Sequence, residues 1–125
     1  MGAVYDVNLQ AKIKQGHKLA LLDSLISTMT EPGIKYLESK NLEISKLEDV
    51  LAYYFAPNSK TSVHITNDEI DINTGFDDSY SWEIVMMDVF EAMAEHLDEK
   101  SELYIHPDYD YDLLVIENGN IVHKH

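Results

Sequence analysis

At 125 residues, with a hydrophobic fraction of 45% and no cysteine, the chain has the length and apolar content of one packed domain. It has no disulfide, no thiolate nucleophile and no Cys-ligated metal. Its formal charge of −14 is unevenly placed: residues 1–60 hold seven lysines and seven acids, whereas residues 61–125 hold sixteen acids against Lys100 and Lys124. A surface of that sign repels nucleic acid and anionic lipid and attracts basic proteins or cations.

The alternation of Ala3, Tyr5, Val7, Leu9, Ala11 and Ile13 with polar neighbours predicts a long strand with one buried face, ended by Gly16. Leu19, Leu22, Ile26 and Met29 then recur at helical spacing, and Pro32-Gly33 is expected to stop that helix. The stretch from Ile34 to Ile44 fits either a short helix or an extended segment. Ser45-Lys46-Leu47-Glu48 reads as a capping box opening a helix through Leu47, Val50, Leu51 and Tyr54. Val63 with Ile65, and Ile70 with Ile72, form two strands around Thr66-Asn67-Asp68, and Gly75 is expected to break the second. A helix capped by Asp78, Ser79 or Ser81 follows. Its buried face would hold Trp82, Val85, Met86, Val89, Phe90, Met93 and Leu97.

Leu103 and Ile105 predict a further strand up to Pro107. Leu113 to Glu117 and Ile121 to His123 flank Asn118-Gly119, a pair suited to a type I′ turn because both positions need positive φ. The expected fold is one α+β domain over residues 1–125. It has a mainly antiparallel sheet of five or six strands, about three helices packed on it, and the order β-α-α-β-β-α-β-β-β. The first residues lack a basic, apolar leader and no run approaches the ~20 apolar residues of a membrane span, so a soluble cytoplasmic protein is expected.

Two groups of residues stand out as partner-binding candidates. Asp88, Glu91, Glu95 and Asp98 fall at i, i+3, i+7 and i+10 on the polar side of the third predicted helix, with no lysine at i+4 to answer them. Asp108-Tyr109-Asp110-Tyr111-Asp112 alternates carboxylates, which pair with lysine or arginine, and tyrosines, which give rigid contact area at low entropy cost. The same five residues begin like an EF-hand loop, but Leu113 stands where that loop needs glycine and Gly119 where it needs glutamate. Asp68, Glu69, Asp71, Asp77 and Asp78 form a third acidic region, in which helix capping accounts for at least one carboxylate.

Nothing in the sequence marks an enzyme. It has no G-x-S-x-G elbow, no phosphate-binding glycine loop and no arginine for a bidentate clamp. The expected function is therefore a small non-enzymatic binding or inhibitor protein. It would set a carboxylate-rich surface on a basic, nucleic-acid-binding surface of a partner protein such as a nuclease. Immunity proteins and phage anti-defence proteins mimic nucleic acid in that way, and they are invoked by charge and size alone. No cofactor and no metal are expected. The alternative is a metal-binding domain or metal-assisted hydrolase, in which His123 and His125 join His64 or His106 from neighbouring strands.

Overall fold

In a computed structural model, which describes residues 3–108 and 110–124, the alternating N-terminal segment is strand β1 (Ala3–Lys12). Every second side chain, from Ala3 to Ala11, is buried, and those between face outward. The chain then runs through helices α1 (Lys18–Thr28), α2 (Glu31–Ser39) and α3 (Leu47–Phe55). Strands β2 (Val63–Thr66) and β3 (Glu69–Asp78) follow, then helix α4 (Trp82–Met93) and strands β4 (Glu102–His106), β5 (Asp112–Glu117) and β6 (Asn120–Lys124). The six strands make one antiparallel sheet in the order β2-β3-β1-β4-β5-β6. The α+β class and the element order are those expected from the sequence, with four helices where three were expected.

β1 lies in the middle, paired over its full length with β3 from Ala3↔Asp78 to Lys12↔Glu69, and with β4 on its other side. Tyr5, Val7 and Leu9 share the inner face with Ile70 and Ile72 of β3, Leu103 and Ile105 of β4, and Leu114 and Ile116 of β5. The helices cover that face through Leu21, Leu25, Leu37, Leu51, Phe55, Met86, Phe90 and Met93, in one continuous apolar cluster. The opposite face, with Asp6, Asn8 and Gln10 beside Asp71, Asn73 and Asp77, has no helix over it. Among the described residues no helix is long and apolar enough to cross a membrane.

Several boundaries differ from the sequence expectation, each for a local reason. Pro32 does not end α1. It occupies the first turn of α2, where its fixed φ suits a helix start and its missing N–H costs nothing. The segment left open between helix and strand is thus mostly helix. Gly33 is buried, and a Cβ there would collide with Met29 Sδ and come within 2.9 Å of Tyr53 Cε2 of α3, so the glycine permits the close approach.

The Ser45 capping box is not formed. Lys46 is the N-cap, with no side-chain cap bond, and the buried Asp49 carboxylate instead accepts from the Glu43 N–H at 2.8 Å. Gly75 does not break β3, because pairing with the ten-residue β1 carries it through to Asp78. Asp77 and Asp78 therefore lie in a strand, although Asp78 still accepts from the Ser79 N–H at 2.8 Å.

α4 ends at Met93 and is followed by a 3₁₀ turn, Ala94–His96. The helix cannot continue, because Leu97 turns extended to bridge Ile13 and Asp98 donates its N–H to the Lys12 carbonyl at 2.8 Å. Trp82 and Val85, expected inside, are only half-buried. Asn118 and Gly119 both have positive φ, 55° and 77°, as the type I′ turn requires.

Phe90 is fully buried and Ile84, on the same helix, is 56% exposed. Phe90→Ala is expected to lower stability by about 3–5 kcal/mol. Ile84→Ala should change it by less than about 0.5 kcal/mol. Urea denaturation of the two variants, followed by circular dichroism, checks the assignment of both faces.

Candidate interaction surface

α4 is amphipathic, so burying Met86, Val89, Phe90 and Met93 turns Ile84, Asp88 and Glu91 to solvent. Ile84, Asp88, Glu91 and Glu95 are exposed in one line along it, and the two apolar and charged parts are thereby set end to end. Successive residues of the line rise about 4.5–6 Å along the axis. Asp88 and Glu91 have no ion pair among the described residues, and the His96 ring nitrogen Nε2 lies 3.6 Å from Glu95 Oε1. The Lys14 ammonium donates to the Glu95 carbonyl at 3.0 Å, so the positive charge nearest that end is tied to the backbone. Asp98, the fourth residue of the expected stripe, lies beyond the helix at the C-terminal end of β1 and is partly buried.

Beside this line lies a cleft of about 300 Å³ between α4, α3 and the end of α1. Tyr53, Tyr54, Trp82, Val85 and Val89 form its apolar walls, and Asp88, Thr28 and Thr30 also line it. The aromatic rings hold one another: Tyr53 meets Trp82 edge to face at 5.5 Å and 84°, and Tyr54 at 4.9 Å and 61°. Trp82 Nε1 donates to the Tyr54 carbonyl at 2.9 Å, and the Tyr54 hydroxyl shares a hydrogen bond with Thr28 Oγ1 at 2.8 Å. Burial pushes the Tyr53 and Tyr54 phenols above their ordinary value, an effect that the Thr28 hydrogen bond partly offsets at Tyr54. No local pattern in the sequence marks this cleft, because its walls come from segments that meet only in the fold.

The Asp108–Asp112 segment lies elsewhere. The Val4 N–H donates to Asp108 Oδ1 at 3.4 Å, at the N-terminal end of β1, whereas Asp98 sits on Lys12 at the other end. Eight residues of extended strand separate them by about 26 Å. The two acidic groups picked out in the sequence therefore do not converge. Asp110 and Tyr111 are exposed, Tyr111 stacks on Tyr104 of β4 at 5.5 Å, and Tyr109 lies outside the described residues. Asp112 opens β5, with its Oδ1 2.8 Å from the His123 ring. The acids near Asp108 are those of the uncovered sheet face, Asp6 opposite Gly75 and Asp77 opposite Val4. Gln10 Nε2 donates to Asp71 further along the same face.

The described histidines of the alternative metal reading are spread across the sheet. His64 is on β2 and His123 on β6, the two opposite edges of the sheet, and His125 lies outside the described residues. Among the described residues no three His, Cys, Asp or Glu side chains are grouped as a metal site. His96 is not at the solvated edge of the acidic line but 8% exposed, with Nδ1 3.1 Å from His17 Nδ1 and Nε2 3.0 Å from Ser24 Oγ. These contacts fasten the start and middle of α1 to the turn after α4.

Compared with known proteins, the chain matches no family model, no curated protein and no solved structure. What its surface does has to be read from its own geometry.

One further charge pair anchors the α3 side. Lys60 Nζ lies 2.7 Å from Oδ1 of Asp49, whose carboxylate is only 2% exposed, and this hydrogen bond raises the lysine's pKa above 10.5. Burial likewise raises Tyr5, whose hydroxyl donates to the Ser79 carbonyl at 2.6 Å. A raised native pKa means that the folded state holds the proton more tightly. The stabilisation from Lys60, Tyr5, Tyr53 and Tyr54 is therefore complete below their ordinary values of 10.0 to 10.5 and is lost as pH rises through the native ones. The melting temperature is expected to fall on the alkaline side from about pH 10 upward, and Tyr5→Phe should make that limb shallower. Thermal melts across about pH 8–11.5 measure it, and an unchanged slope would remove Tyr5 from the account.

Proposed function

We propose that this chain is a non-enzymatic binding protein whose acidic helix face docks on a basic surface of another protein, one that otherwise holds nucleic acid. The observation that carries the reading is the exposed line of Asp88 and Glu91 on α4, unpaired among the described residues and continued by Glu95, beside an apolar cleft. Ordinary solvated helices gain a few tenths of a kcal/mol from each opposite-charge pair at i,i+4, and this face forgoes that gain. Leaving carboxylates uncompensated costs the free protein little in water and makes the surface attractive at long range to a cationic partner. An apolar pocket surrounded by charge is also the usual arrangement of an interface, with desolvated anchors at the centre and a polar rim. An immunity or anti-defence role belongs to this reading as the kind of biology in which a nuclease's cationic groove is covered by carboxylates.

The Asp108–Asp112 loop and the open sheet face make a second acidic area, set apart from the first by the length of β1. In this reading α4 carries the docking contact, because it joins Asp88 and Glu91, unpaired among the described residues, to an aromatic-walled cleft. The loop then contributes to steering through the overall field.

Salt separates this from a neutral contact. With the partner recovered at low salt and immobilised, the association rate should fall at least about tenfold between roughly 50 and 300 mM salt, while dissociation changes little. Reversing the line with Asp88→Lys and Glu91→Lys should slow association further. It should leave unfolding within about 0.5 kcal/mol of the parent, since both side chains point to solvent. An on-rate indifferent to salt, or a reversed variant that associates like the parent, would remove the helix face from the interaction.

A further inference from the structure

We propose that the cleft between α3 and α4 is an arginine-binding site, which receives one guanidinium side chain of the basic partner. The inference rests on the docking reading above and deepens it, by naming the chemistry that the apolar cleft takes. Tyr53, Tyr54, Trp82, Val85 and Val89 wall the cleft, and Asp88 stands at the exposed end of it with no ion pair among the described residues. At about 300 Å³ it is at the lower limit of ligand pockets, so it admits a side chain and not a helix or strand.

Three features favour a cation, and arginine over lysine. Aromatic faces attract positive charge through their quadrupole, and Trp does so most strongly. The guanidinium is flat and weakly hydrated, so it stacks on a ring at smaller desolvation cost than a compact ammonium. It also carries a fork of donors that can meet both oxygens of Asp88 while its plane lies against the aromatic wall. The chain has no arginine of its own, so no internal guanidinium competes for the site.

The walls are built before any ligand arrives. Tyr54 is fixed at its hydroxyl by Thr28 and at its carbonyl by Trp82 Nε1, and Tyr53 is held by ring contacts with Tyr36, Tyr54 and Trp82. Such preorganisation lowers the ordering cost of binding. It also gives a physical reason why Trp82 and Val85 are left half-buried on a helix that covers Met86, Val89, Phe90 and Met93.

Trp82 is the only tryptophan in the chain and so reports on this cleft alone. The probe is a blocked glycine peptide carrying arginines, titrated at low salt alongside its citrulline and lysine analogues, with Trp82 emission and backbone amide NMR shifts as readouts. The arginine peptide should change Trp82 emission saturably and the citrulline peptide should not. Asp88→Asn should weaken that binding about tenfold, and Glu95→Gln no more than about twofold. A lysine peptide that binds as tightly as the arginine one overturns the guanidinium assignment. Salt-sensitive amide shifts along α4 with Trp82 emission unchanged overturn the cleft and leave the docking reading standing. Absence of any shift along α4 overturns both.

Discussion

A strand that is apolar on one side and polar on the other can be covered on only one side, and β1 imposes that constraint on the whole molecule. It is the middle strand, and its ten residues set the register of β3 completely and of β4 in part. Because Tyr5, Val7 and Leu9 all point one way, the helices must gather there, and their own apolar stripes close the core. Because Asp6, Asn8 and Gln10 point the other way, no helix gains by covering that side. The position of α4, and with it the acidic line and the cleft, follows from this one-sided covering.

Electrostatics are handled differently at the two places where charge matters. Inside, the buried Asp49 carboxylate accepts from the Glu43 N–H at one oxygen and forms an ion pair with the Lys60 ammonium at the other. Removing an oxygen's partner there would leave a desolvated charge, the costly case for a folded protein. Outside, Asp88 and Glu91 have no ion pair among the described residues, and there water screens them and the cost is small. The molecule thus satisfies its buried carboxylate and leaves exposed ones available. Among the described residues the unpaired acids of α4 lie where water reaches them.

Much of the fold was legible because β1, α4 and the Asn118-Gly119 hairpin each carry a strong period or a turn with a single stereochemical solution. The failures have a common physical origin in partners distant along the chain. Pro32-Gly33 resembles a stop signal, yet Pro32 opens α2 in its first turn and Gly33 makes room for Met29 and for Tyr53 of α3. Gly75 would end an isolated strand, and pairing with β1 carries it through. Of the candidate site, the exposure of Asp88, Glu91 and Glu95 could be read from helical spacing, while Asp98 was lost to the bridge between Leu97 and Ile13. The cleft was not legible, since no local pattern distinguishes an aromatic residue that lines a groove from one that fills a core.

The central position of β1 also orders events in time. It is made before the other strands of the sheet, yet its neighbours β3 and β4 begin at Glu69 and Glu102. At ~5–20 residues per second on the ribosome, β1 waits on the order of 3–12 s for the first of them. Throughout that interval its apolar side chains have only α1, α2 and α3 to associate with, and those helices form quickly from local contacts. The early chain is therefore driven toward a helix-wrapped strand whose backbone amides are still unpaired. The sheet closes afterwards, by adding β3 on one side and β4 on the other. A protein built outward from its first strand in this way is slowed by topology, and most exposed to mispairing while half its length is still unmade.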